Sequence, residues 1–111
     1  MDYDKRSLKL HKSTRGKIEV ISKVPLVTTD DLSLAYTPGV AAVSREVAQN
    51  KEAAYDYTSK GNMVAIVSDG SAVLGLGNIG PEGALPVMEG KAILFKGFAG
   101  VDAMHLVIDT E

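Results

Sequence analysis

Eight of the chain's 11 glycines fall between Asp69 and Gly100, and no other feature narrows its fold as much. Within that ribbon, Gly75-Leu76-Gly77-Asn78-Ile79-Gly80 matches the GxGxxG pattern that brings a pyrophosphate against a helix N-terminus in dinucleotide-binding units. Such a unit needs a strand, the glycine turn, a helix and a second parallel strand, with an acidic residue ~20 positions further on. The apolar run Met63–Ser68 supplies a strand, but it meets Asp69-Gly70. That pair is a hairpin signal, because both central residues of a type I′ turn need positive φ. Ala72–Leu76 is therefore expected to return antiparallel. Asp109, at the end of the next apolar run (Met104–Ile108), lies 29 residues beyond Gly80, and Asp102 precedes that run. Both points argue against a cofactor site. The alternative is that the glycines let backbone segments pack closely and expose the helix N-terminus at Gly80-Pro81. Its free N–H groups suit an anionic substrate or side chain.

The other elements are shorter. Residues 3–12 are expected as a helix broken by Arg15-Gly16, and Lys17–Ser22, with alternating Ile18-Glu19-Val20, as a strand. Val24–Asp31 is a connection containing Pro25. Thr37-Pro38 has the form of a hydroxyl N-cap followed by proline at the first helical position, predicting a helix to Gln49 closed by Asn50. Pro81 opens a longer helix to about Lys96 despite Gly83, Pro86 and Gly90. The pattern is α/β, one domain over residues 1–111 with helices packed on a sheet too small for a doubly wound fold. Asp109-Thr110-Glu111 stop as the last strand ends, so the chain reads as the first part of something longer.

Composition excludes several classes. A hydrophobic content of 45% with 23% charged residues is globular rather than disordered. No apolar run approaches the ~20 residues that cross a bilayer, and the charged N-terminus lacks a secretory signal's apolar stretch. The absence of cysteine fits a cytoplasmic location. Residues 1–23 hold seven Lys/Arg against three Asp/Glu, a net +4, whereas the remainder holds five against eleven, a net −6. A basic arm can meet nucleic acid, but Tyr3 is its one aromatic, a poor stacking platform. An arm that is solvated, or folded onto an acidic partner surface, is the expectation.

Two side chains resist a purely structural explanation. On a helix, Lys91 has Val87, Met88, Leu94 and Phe95 as its i±3 and i±4 neighbours, all apolar. Its ammonium either snorkels outward or sits desolvated, which lowers a lysine pKa and makes a usable base. Lys96 has a similarly apolar setting, so periodicity does not separate the two. Tyr36 precedes the Thr37 cap, where a ring often packs back on the helix as a staple. Alternatively its phenol lies near the positive end of the following helix and serves as a general acid.

Leu34-Ala35-Tyr36-Thr37-Pro38-Gly39-Val40, Val67-Ser68-Asp69-Gly70, Leu74–Gly80 and Leu85-Pro86-Val87-Met88-Glu89-Gly90-Lys91 together closely resemble the malic enzyme family in its small bacterial branch. His11 and Lys17-Ile18-Glu19-Val20 look like the family's opening, and the likeness runs nearly end to end. The resemblance implies oxidative decarboxylation of L-malate to pyruvate and CO2 with NAD or NADP and Mg²⁺ or Mn²⁺. By it, Tyr36 matches the general acid that protonates the enolpyruvate carbon. Lys91 matches the general base that takes the malate hydroxyl proton, presented across from Tyr36 by the helix after Gly80. The family's metal carboxylates and Rossmann dinucleotide domain lie C-terminal to the segment resembled. Neither cofactor is therefore expected to bind this chain tightly, Asp102 and Asp109 are not taken as metal ligands, and the chain alone is expected to be inactive. Larger members carry a carboxylate-gripping arginine shortly after Asp-Gly, where this chain reads Ser71-Ala72-Val73, leaving the malate carboxylate contacts unassigned. The implied partners are malate, a C-terminal cofactor domain and a second copy in a homodimer, with the basic arm at the subunit contact. No nucleic acid or membrane partner is implied. A rival from another class is a non-catalytic dimerisation or regulatory module built on the same fold.

Overall fold

A computed structural model describes residues 2–110. The chain forms two compact units, one built from the segment up to Glu19 together with everything from Met63 onward, the other from Val20–Asn62.

The first unit is centred on a parallel pair of strands, β1 (Met63–Ser68) and β2 (Asp102–Val107), in register from Met63 opposite Asp102 to Ser68 opposite Val107. A parallel pair needs a crossover, and a 20-residue helix running Gly80–Ala99 supplies it. It packs on β2 and β1 through Ala84, Met88 and Ala92, spaced by four and each at most 4% exposed. Two alanines in that stripe let the helix axis approach the sheet, and this packing carries the helix through Pro86, which removes an internal hydrogen bond. Gly100, at φ 65°, ends it.

The expected hairpin after Asp69-Gly70 does not form: β1 pairs with β2, and only an isolated bridge, Val73 to Gly77, lies between them. Local geometry explains the difference. Asp69 Oδ1 accepts the Ser71 N–H at 2.9 Å, which turns the chain outward. The Gly70 carbonyl accepts the N–H groups of Ile79 and Gly80 at 3.0 and 3.3 Å, closing an excursion over residues 71–79. Gly70, at φ 74°, is required there, because a Cβ on it would stand 1.9 Å from the Gly80 carbonyl oxygen.

A second helix, α1 (Tyr3–Thr14), belongs to the same unit. Asp2 caps it by accepting the Lys5 N–H at 3.0 Å, and Arg15 (φ 55°) and Gly16 (φ 92°) stop it, at the expected break. Lys17–Ser22 is not a strand. The sheet of the described residues has two strands, and an alternating segment without a partner strand cannot satisfy its backbone.

The Val20–Asn62 unit holds α2 (Thr29–Ala35), α3 (Val40–Gln49) and α4 (Ala54–Tyr57), with 3₁₀ turns at Lys51–Ala53 and Ser59–Asn62. Numbered in chain order, the Gly80–Ala99 helix is α5. Helix α2 falls partly where a connection was expected. A capping box starts it: the Thr28 hydroxyl accepts the Asp31 N–H, and Asp31 Oδ2 accepts the N–H groups of Thr28 and Val27, all at 3.0 Å. Helix α3 ends at Gln49 as expected but begins later than Thr37-Pro38 predicts. The Thr37–Pro38 peptide is cis, and Gly39, with no side-chain cap, occupies the N-cap.

Candidate functional site

Tyr36 lies at the junction of α2 and α3. Its N–H donates to the Leu32 carbonyl at 2.8 Å, and its own carbonyl accepts the Val40 N–H at 2.7 Å. The Gly39 N–H donates to Ser33 at 2.9 Å, so the Tyr36–Gly39 link is tied to both helices. The ring, by contrast, is 65% exposed and is not packed down as a staple.

Lys91 lies on α5, exposed, in an open apolar groove with Leu94, Phe95, Phe98 and Ala99. Among the described residues its ammonium has no hydrogen-bond or ion-pair partner. Lys96 differs: its Nζ pairs with Asp102 Oδ1 at 2.9 Å. Lys96 thus joins α5 to β2, a contact Lys91 does not make. Tyr36 and Lys91 belong to different units.

Glu89, two residues before Lys91, belongs to a set of contacts that the sequence does not signal. The Lys17 N–H donates to Glu89 Oε1 at 3.0 Å, across 72 residues. The Lys17 ammonium also contacts His11 Nε2. His11 Nδ1 lies 2.7 Å from the Ser7 carbonyl, which can only accept, so Nδ1 carries the proton and Nε2 accepts from Lys17. Helix α1, Lys17 and α5 thus form one chain of hydrogen bonds.

The glycine fingerprint does not have its expected local context. With β1, α5 and a parallel β2 the unit is βαβ, so the hairpin argument against a dinucleotide site fails. The loop itself is unlike the short fingerprint turn. Residues 69–79 separate β1 from α5, and Gly75 and Gly77, at φ 82° and 73°, form an exposed turn with no atom near enough to meet a Cβ. Among the described residues no group of three or more His, Asp or Glu is placed to hold a metal ion. Among the described residues no helix is long and apolar enough to cross a membrane.

The chain thus combines a short parallel βαβ unit that carries Lys91 on its crossover helix with a helical unit that carries Tyr36. The sequence model of the malic enzyme N-terminal domain matches residues 15–111. The chain belongs to the malic enzyme family. It is 58% identical over 110 residues to the bifunctional malic/malolactic enzyme of Bacillus subtilis, covering 99% of this chain and 27% of that protein. It is 62% identical over 96 residues to the NAD-dependent malic enzyme of Geobacillus stearothermophilus, covering 86% and 20%. The crystal structure of the NAD-dependent malic enzyme from Thermotoga maritima superposes with a TM-score of 0.90 at 55% identity, covering 99% of this chain and 28% of that one. The chain thus spans 20–28% of the length of these relatives.

Proposed function

We propose that this chain is the N-terminal segment of a malic enzyme that oxidatively decarboxylates L-malate to pyruvate and CO2, to which it contributes Tyr36 and Lys91. The observation that supports this most is the match of residues 15–111 to the family's N-terminal domain, a span that contains both side chains. NAD or NADP and a divalent metal, the groups the family resemblance implies, would accept the hydride and polarise the substrate from residues outside this segment. Lys91, in its neutral amine form, would take the malate hydroxyl proton at Nζ, and the apolar groove around it becomes water-poor once covered. A base in such a setting contributes roughly 10²–10⁴ in rate. The Tyr36 phenol, on a backbone pinned at both sides, donates its proton to the enolpyruvate carbon after CO2 has left. The exposed apolar side chains of α5 and β1 fit a segment completed by other domains and by a second subunit.

The test is reconstitution. The 111-residue chain alone is expected to produce no NADH or NADPH from malate. Mixed with the C-terminal part of a malic enzyme it is expected to restore turnover, which Lys91→Ala then removes. Turnover by the chain alone contradicts its incompleteness. Failure of rescue, with tight self-association, favours the non-catalytic module.

A further inference from the structure

We propose that Glu89 is a positioning residue for Lys91, holding α5 in the orientation that presents the Nζ amine to the substrate. The proposal rests on Lys91 being the base, and the geometry of α5 carries it. At about 100° per residue, Glu89 and Lys91 flank the buried stripe of Ala84, Met88 and Ala92. Glu89 lies about 100° to one side of Met88 and Lys91 about 60° to the other. The stripe is narrow and made largely of methyl groups, so apolar packing alone resists rolling of the helix weakly. A directional bond on the opposite shoulder from Lys91 supplies what the stripe lacks.

That bond is built with some care. Its donor is a backbone N–H, that of Lys17, which unlike a side chain has no rotamer freedom. Lys17 is itself anchored to α1 through His11, whose ring is oriented by the Ser7 carbonyl. Gly16 makes room for the carboxylate, because a Cβ there would stand 2.7 Å from Glu89 Oε1, and at φ 92° the position disfavours any side chain. The requirement is thus for an acceptor oxygen at glutamate's reach, not for negative charge. A displaced base loses rate rather than ground-state binding, since proton abstraction is made only on the way to the transition state.

Two near-isosteric variants separate reach from charge. Glu89→Asp keeps the carboxylate and withdraws it by one methylene, whereas Glu89→Gln keeps the reach and removes the charge. In the reconstituted enzyme, Glu89→Asp is expected to lower kcat about ten- to a hundred-fold, with KM for malate within about two-fold. Glu89→Gln is expected to match the parent. In the 111-residue chain alone, the Lys17 amide proton resonance is expected to move upfield in Glu89→Asp and to hold in Glu89→Gln, a readout that needs no assembly. A parental kcat in Glu89→Asp, an equal loss in Glu89→Gln, or a Lys17 resonance indifferent to Glu89→Asp each overturns the proposal. Lys91→Ala is the control for the function itself. If it leaves turnover intact, the assignment of the base fails. If it abolishes turnover while Glu89→Asp has no effect, only the positioning role fails.

Discussion

Lys96 Nζ stands 2.9 Å from Asp102 Oδ1 and joins the last turn of α5 to the first residue of β2, while Lys91 on the same helix has no ion-pair or hydrogen-bond partner among the described residues. The Lys96 pair is exposed, with side chains 64% and 38% accessible, so its worth is that of a surface ion pair. Lys96→Met is expected to cost under about 1 kcal/mol, and less at high salt. Lys91→Met, which removes an unpaired charge from an apolar groove, is expected to leave stability unchanged while removing turnover on reconstitution. Denaturant titration of the two variants checks this. A greater destabilisation by Lys91→Met would mean that the lysine is structural.

Met88 is the largest of the four buried hydrophobic side chains among the described residues, the others being Ala53, Ala84 and Ala92. Met88→Ala is expected to cost about 2–5 kcal/mol, a large share of the ~5–15 kcal/mol that holds a small domain. Ala84→Leu is expected to lose about 1–3 kcal/mol by forcing the helix off the sheet. Urea unfolding followed by circular dichroism measures both. A Met88→Ala chain as stable as the parent would show that the stripe does not hold α5.

What the sequence makes legible follows from the range of the forces involved. The ends of α1 and α3, the β1 strand and the span of α5 follow from local chemistry: a left-handed stop at Arg15-Gly16, an apolar run, and a proline at the start of a helix. The capping box at Thr28 and Asp31 is equally local and was a readable signal for α2. The hairpin expectation fails because Asp69-Gly70 carries turn chemistry without specifying a partner, and burying the α5 stripe on a parallel pair outweighs a short local return. The Glu89–Lys17 bond joins residues 72 apart, and no spacing rule reaches that far. β1 shows the converse. Its apolar run forms the expected strand, yet Met63, Val64, Ala65 and Val67 are exposed.

Two carboxylates give the chain a defined acid sensitivity. The N–H groups of Val27 and Thr28 hold the Asp31 carboxyl below its ordinary range, and Ser71, through its hydroxyl and then its N–H, does the same for Asp69. A pKa lower in the folded than in the unfolded state contributes stability that is fully present above the unfolded value of ~4 and lost as pH falls through the folded value. Asp31→Asn and Asp69→Asn are therefore expected to lower Tm at pH 7 and to flatten its decline below about pH 4. Thr28→Ala, which removes the other half of the box, is expected to cost about 1 kcal/mol with little change in that pH dependence. Thermal melts from neutral to acidic pH distinguish the two effects. An acid limb unchanged by both asparagine variants would contradict the assignment.

Tyr36→Phe isolates the phenol from everything else the residue does. The substitution keeps the ring, and the two backbone hydrogen bonds, to Leu32 and from Val40, do not involve the side chain. With the ring 65% exposed, the stability change is expected to stay within about 0.5 kcal/mol. Loss of a general acid is expected to cost roughly 10²–10⁴ in turnover of the reconstituted enzyme. The proposed role makes a sharper demand. Protonation of the enolpyruvate carbon and its reverse pass through the same hydroxyl, so exchange of pyruvate methyl protons with deuterated solvent should be lost in Tyr36→Phe as completely as malate oxidation. Proton NMR of pyruvate with the assembled protein measures that exchange directly. Exchange at the parental rate, with malate oxidation abolished, would place Tyr36 at an earlier step and leave the proton donor to another group.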